Sequence, residues 1–425
     1  MRETPALRQP ANTAQSPFLL TPLSVQIVFA AYNAEQWGRV GSRRWLQEVG
    51  SFTCLANVSA AASATGAAFC ASPLRYDLTF TAIRPSDIAY VIAVDQVGQA
   101  DAGQLYVHEV DRLGGVSLPI SPILTALGAA GPIPVQPSSA TAMPPSPVTT
   151  FMDYVPALSV DMAVLTGYNA AFVNKYYNSR FDNASNVDAA TITSAATLLA
   201  RTLYALALNA GSVGAAIAGV PLSLAANASY ASSLLDCITV NAQCAQFAQI
   251  LGVSASYMQQ MTPAAPLSLY TNVYMQPYMV GDNNYVLPPS LISAVVRNAL
   301  AWSTSANRTL VACQSESDCN ALGASFECMR GACIATTSYY HDALSPALTT
   351  SNVYGAYTID ESQASAMDPV WTEPYWSASV GVTLFRKDRA AVNIAVLVIG
   401  LALLALSIPA AWVLVRHLDK HYKVP

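Results

Sequence analysis

The residues best placed to do chemistry lie in FAAYNAEQWGRVGSR, Phe29 to Arg43, where an apolar run ends in Asn-Ala-Glu and turns into a helix opened by Gly41-Ser42. Glu35 is the acid of that turn. Taken on its own, this acid reads as a carboxylate hydrogen-bonded to a loop backbone. A second concentration of reactive side chains is CQSESDCNALGASFECMRGAC, with Cys313, Cys319, Cys328 and Cys333. Zinc would ask for paired C-x-x-C spacing or ligand histidines, and this segment has neither. Two disulfides are expected instead, their pairing open among three connectivities. His108 and His341 show no metal-ligand spacing, and His417 and His421 fall in the C-terminal tail.

These groups need elements to position them. Pro22 to Tyr32 (PLSVQIVFAAY) is β-branched and aromatic, too short to span a membrane and suited to a buried strand. VGSRRWLQEVG follows as a helix with Val40, Trp45 and Val49 near one face and Gly50 as its stop. Ile88 to Val94 and Ser159 to Leu165 are further strands; strands alternating with helices favour an α/β fold with a mostly parallel sheet flanked by helices. Asp188 to Leu208 is a long Ala-rich helix that should pack back on that sheet. Residues 114–150, rich in Pro, Ala and Ser, read as an extended surface excursion. From Gly211 to Ala301 the pattern is short helices and loops, with Cys237 and Cys244 close enough to close a small loop.

Only 11% of residues are charged and the net charge of −5 is spread thinly, which leaves no electrostatic footprint for nucleic acid. Residues 390–415 carry no charge at all, against the roughly 20 apolar residues needed to cross a bilayer. Asn393, Ser407 and Pro409 interrupt that run and should face protein. Basic residues flank both ends, so charge counting does not orient the helix. The eight cysteines, Cys54 and Cys70 among them, and four N-x-[ST] sequons at Asn57, Asn183, Asn227 and Asn307 all lie upstream. They favour a lumenal or extracellular segment and a short cytosolic tail over residues 416–425, which is type I topology. MRETPALRQPANTAQSPFLL lacks the basic, apolar and small-residue regions of a signal peptide, so residues 1–20 read as disordered or wrongly assigned and the true beginning is expected to be missing.

The segment around Glu35 resembles the co-catalytic zinc aminopeptidases, whose strand ends in two adjacent glutamates, a general base and a metal ligand, before a Gly-Ser helix start. Glu35 falls on the base and Gln36 on the ligand, where a neutral amide lacks the charge a hard divalent ion requires. Asp95, in IAVDQVG, matches a ligating aspartate; without partner ligands it reads as a loop-capping residue. Asn178, in NKYYNSRFDN, stands where a terminal histidine would be. The resemblance therefore implies degenerate metal positions, no catalytic residue, no metal and no cofactor, and removes hydrolysis by metal-activated water.

That loss pattern, with RTLYALA at Arg201 to Ala207, ALSPAL at Ala343 to Leu348 and WTEPYW at Trp371 to Trp376 before the apolar run, is similar to the nicastrin family, the large glycosylated subunits of γ-secretase. It implies a partial aminopeptidase-like domain over residues 21–345, a juxtamembrane segment over 346–389 and the anchor over 390–415. Further implied are a non-catalytic role in an intramembrane aspartyl protease, stabilising the complex and gating type I membrane-protein stubs, and presenilin, Aph and presenilin-enhancer partners. The membranes implied are those of the endoplasmic reticulum, Golgi, endosomes and cell surface. Glu35 is the implied substrate-recognition residue, although the family's Asp-Tyr-Ile-Gly-Ser reads Gly38-Arg39-Val40-Gly41-Ser42 here. An active membrane-anchored zinc aminopeptidase and an unrelated single-pass receptor ectodomain are the competing readings.

Overall fold

A computed structural model describes residues 26–51, 56–59, 69–72, 74–75, 83, 87–109, 121–154, 160–179, 181–208, 213–267, 278–279, 285–286, 290–305, 308–322, 326–336, 338, 345–350, 357–361, 368–370 and 390–421. Residues 1–20, Cys54, Asn307, His341 and 371–376 lie outside that description.

The main sheet contains β1 (Tyr90–Asp95), β2 (Leu105–Glu109), β3 (Val135–Pro137) and β4 (Asp161–Thr166), in the order β1-β4-β2-β3. β1 lies parallel to β4, from Tyr90 opposite Asp161 to Asp95 opposite Thr166, and β2 lies parallel to β3. β2, however, runs antiparallel to β4. The sheet is thus mixed: two of its three strand pairings are parallel and one is antiparallel. The chain returns from β1 to β2 through residues 96–104 alone, shorter than the dozen or so residues a parallel crossover takes.

Helices cover both faces: α1 (Val40–Ser51), α2 (Pro122–Ala130), α3 (Pro147–Tyr154), α4 (Ala189–Leu208) and α5 (Val213–Ala218). On one face Leu105, Val107, Ala163 and Leu165 pack with Ile123 and Leu127 of α2 and Ala195 and Leu198 of α4. On the other, Met162 and Val164 pack with Trp45, Leu46 and Val49 of α1 and Val148 and Phe151 of α3. The switch between faces at each step along β4 is the two-residue period of a pleated strand, apolar on both sides because both are covered. α4 is long and apolar enough to cross a membrane, but its apolar stripe is spent on this core.

Two expectations fail here. Residues 121–150, the described part of the 114–150 stretch, are not an extended excursion: they contain α2, β3 and the start of α3, and bury Ile123, Leu127, Val135 and Val148. Pro122 and Pro147 open helices instead of breaking them, since a first-turn N–H has no partner to lose; Ser121 caps α2, its Oγ accepting from the Leu124 N–H at 3.0 Å. Residues 26–32, within the expected strand, form no regular structure, and Val28 and Phe29 are exposed.

Beyond the sheet, α6 (Ala228–Thr239), α7 (Ala245–Leu251), α8 (Ala255–Met261) and α9 (Leu291–Thr304) share a core of Phe247, Ile250, Met258, Leu291 and Val295, with Cys237 bonded to Cys244. A three-stranded antiparallel sheet, β5 (Arg308–Ala312), β6 (Phe326–Met329) and β7 (Ala332–Ala335), is stapled by Cys313–Cys328 and Cys319–Cys333. Three of these sulfurs lie within 4.8 Å of one another, as zinc ligands would, but all are consumed in disulfides. Asn57 pairs with Cys70 across a separate short antiparallel sheet. α10 (Ala390–His421) is a single helix in which Ile394–Leu418 is apolar and wholly exposed.

Candidate functional site

α1 begins where the loop before it is forced into unusual backbone. Ala34 (φ 58°), Gly38 (φ 98°) and Arg39 (φ 60°) all adopt left-handed conformations around the single turn Glu35–Trp37. Non-glycine residues held there carry strain, which concentrates at functional loops. Close packing fixes the turn as well: a Cβ at Gly41 would lie 2.4 Å from the Asn33 carbonyl oxygen, so only glycine lets loop and helix meet.

Glu35 uses both carboxylate oxygens. Oε1 accepts the Ser42 backbone N–H at 2.7 Å and Oε2 accepts the Ser42 hydroxyl at 2.9 Å; that hydroxyl also lies 2.9 Å from Thr150 Oγ1 on α3. The acid therefore satisfies a free N–H in the first turn of α1, where the helix dipole favours negative charge. Burial pushes its carboxyl above the ordinary value, opposed by the Ser42 hydrogen bonds and the charges of Arg39 and Arg43. Arg39 donates to Thr149 Oγ1 at 2.6 Å and lies 3.5 Å from Asp153, while buried Arg43 joins Asp153 at 2.8 Å and Asp368 at 3.4 Å.

The two neutral amides meet. Asn178, itself left-handed at φ 57°, donates from Nδ2 to Gln36 Oε1 at 3.3 Å, and Gln36 donates from Nε2 to the Tyr177 hydroxyl at 3.2 Å. Asp95 ends β1 and takes a 3.4 Å hydrogen bond from Gln96, another left-handed residue. Burial raises the Asp95 pKa, with the Gln96 bonds opposing. Tyr168 is pushed up to about 12 by burial and then by the charge of Asp95, and Tyr177 is raised by the same two causes. The charge of Asp95 thus reaches Tyr177, whose hydroxyl accepts the Gln36 hydrogen bond. The site sits beyond the carboxyl ends of the parallel strands β1 and β4, where open α/β sheets hold their ligands.

An aromatic file backs it. His108 and Tyr168 lie 5.5 Å apart between ring centroids, Tyr168 and Phe172 4.8 Å, Phe172 and Tyr177 5.0 Å, the last two edge to face. Phe172, Tyr176 and Phe181 leave much of their surface to solvent. Sequence reasoning missed Tyr168, Phe172 and Tyr177 as site residues; their spacing of four and five in YNAAFVNKYY was the available signal. Among the described sequons, Asn183, five positions beyond Asn178, and Asn227 are exposed helix caps.

Comparison with known proteins follows the same outline. Residues 19–204, which span the site and the main sheet, match the family model described as the nicastrin large lobe. Over that span the chain is similar to the nicastrin family. Nicastrin of Dictyostelium discoideum is 22% identical over 415 residues, covering 94% of this chain and 58% of the relative. Nicastrin of Arabidopsis thaliana is 26% identical over 415 residues, covering 91% and 54%. The crystal structure of the gamma-secretase component nicastrin superposes with a TM-score of 0.59 at 23% identity, over 81% of this chain and 54% of that one, and so shares the fold. The chain spans a little over half the length of the curated nicastrins it matches.

Proposed function

We propose that this chain is a non-catalytic subunit of a γ-secretase-type intramembrane aspartyl protease, stabilising the complex and gating the type I membrane-protein stubs it admits. The observation that carries the reading is the hydrogen bond between Gln36 and Asn178. In a zinc-aminopeptidase-like lobe these positions would be a carboxylate and an imidazole, and two amides in mutual contact supply neither anionic oxygen nor nitrogen lone pair to a divalent ion. The match to the nicastrin large lobe and the long exposed apolar helix α10 support the same reading. On it, presenilin, Aph and presenilin-enhancer subunits are the partners, with α10 as the contact inside the membrane. The lobe stands on the lumenal side of endoplasmic reticulum, Golgi, endosomal and plasma membranes. Glu35, both oxygens already taken by Ser42, shapes the recognition loop instead of abstracting a proton.

The test is paired. The full chain purified in detergent should hold zinc far below one equivalent and show no aminopeptidase activity, and deletion of residues 390–415 should abolish co-purification with presenilin. Stoichiometric zinc with peptide hydrolysis would overturn the reading.

A further inference from the structure

The C-terminal end of α10 pairs an aromatic ring with a cation. The Arg416 guanidinium lies over the Trp412 ring, 3.9 Å from its centroid, and both side chains are exposed. Among the described residues no carboxylate pairs with Arg416. Positions four apart share a helix face, so Lys420 continues the stripe by its place in the helix. Beyond Val415 the sequence RHLDKHYKVP carries three Lys/Arg residues against one Asp.

Length sets the depth of this stripe. The charge-free run 390–415 rises about 39 Å, more than the hydrocarbon core of about 30 Å and close to the roughly 40–45 Å of a bilayer with its headgroups. Arg416 therefore arrives in the headgroup layer. Trp412, about 6 Å short of it, lies at the boundary where indole rings settle. Stacking covers one face of the guanidinium and leaves its in-plane N–H donors open at the edge, a planar fork that matches two oxygens of one phosphate.

We propose that Trp412 and Arg416, with Lys420 one turn further on, form a binding site for the headgroup of an anionic phospholipid. The Arg416 fork takes the phosphate, and Trp412 holds the guanidinium in place. The positive balance of the following residues favours a headgroup of net negative charge over a zwitterionic one. On the topology proposed above this end of α10 meets the cytosolic leaflet, where anionic lipid is concentrated. The inference rests on that reading only in requiring α10 to cross a bilayer; no role of the lobe enters.

The test uses the full chain reconstituted into phosphatidylcholine vesicles, with spin-labelled phosphatidylserine and phosphatidylcholine compared for the fraction of each lipid immobilised at the protein. Phosphatidylserine should be held at least about fivefold more strongly, the factor that one basic residue near an anionic surface supplies. Arg416→Gln should bring the ratio close to one. Arg416→Lys keeps the charge without the planar fork, and Trp412→Leu keeps the charge without the stacking ring; each should lose at least half of the preference. All three changes fall on exposed side chains of α10 and leave the folded core untouched. Equal retention of both lipids by the unmodified chain overturns the proposal, as does a preference that survives Arg416→Gln. A preference undiminished in both Arg416→Lys and Trp412→Leu reduces it to diffuse charge attraction and overturns the site. Flotation separates the two levels: a chain that does not float with the vesicles removes the spanning helix together with this proposal, whereas a floating chain without preference removes this proposal alone.

Discussion

Ser42 and Glu35 form the tightest polar unit of the site, and Ser42 is wholly buried. Ser42→Ala removes a hydroxyl donated to a charged acceptor, a bond worth about 1.5–3 kcal/mol. The variant should lose stability on that scale in chemical denaturation, while Ser42→Thr, which keeps the donor, should recover most of it; equal losses would mean that packing alone holds the turn. Asp95 tests the opposite case. Burial sets its folded pKa above the ordinary 3.8, so the native state holds the proton more tightly than the unfolded chain does. Its contribution to stability therefore falls as pH rises from there through the folded pKa. Asp95→Asn should melt above the unmodified chain near about pH 7, with the gap closing below about pH 4. A gap that widens in acid would place the raised pKa elsewhere. At this scale the Glu35 turn was legible because Gly41-Ser42 marks a helix start and a start attracts an acid. The approach of Tyr177 to Gln36 was not, because a contact across 141 positions leaves no local trace in either segment.

Among the elements, α1 and α4 were legible from their 3.6-residue apolar stripe, and β1 and β4 from apolar runs too short for helices. β2 was missed because its run reads LYVHE, and a buried histidine and a glutamate mask the alternation. The Pro-rich stretch was misread because bulk composition hides Ser121-Pro122 and Ser146-Pro147, each a start signal when taken residue by residue. Two ion pairs of one arginine tie distant elements together: Arg43, its side chain 1% exposed, bridges Asp153 at the end of α3 and Asp368, its side chain 2% exposed and 325 positions further on. Arg43→Met leaves a buried carboxylate without its cation and should cost about 3–5 kcal/mol. Adding Asp368→Asn should return part of that loss, because the two sites share one interaction and their effects are not additive. Additive losses in a double-mutant cycle would show that Arg43 acts through Asp153 alone.

For the whole molecule, the long apolar helix α10 was the most legible feature, since bilayer thickness sets a one-dimensional length requirement. The 25 residues Ile394–Leu418 rise about 37 Å against a hydrocarbon core of about 30 Å, enough to span with some tilt. Ser407 satisfies its own hydroxyl on the Leu404 carbonyl at 2.9 Å, so it adds no unpaired donor to the exposed apolar surface of α10. Orientation was not legible from flanking charge, and the exposed sequons offer the physical handle. Asn183 Oδ1 accepts from the Ser185 N–H and hydroxyl, and Asn227 Oδ1 accepts from the Tyr230 N–H and the Ser229 hydroxyl. Each cap uses only the carbonyl oxygen and leaves Nδ2, the atom that carries an N-linked glycan, without a hydrogen bond among the described residues. Modification at either position therefore keeps the helix cap intact. With the lobe on the lumenal side, Asn183→Gln and Asn227→Gln should each increase gel mobility by one glycan, and a C-terminal tag should be digested by protease added outside sealed microsomes. A protected tag, with no mobility change in either variant, would place the lobe on the cytosolic side, where the disulfides Cys313–Cys328 and Cys319–Cys333 would face a reducing solvent.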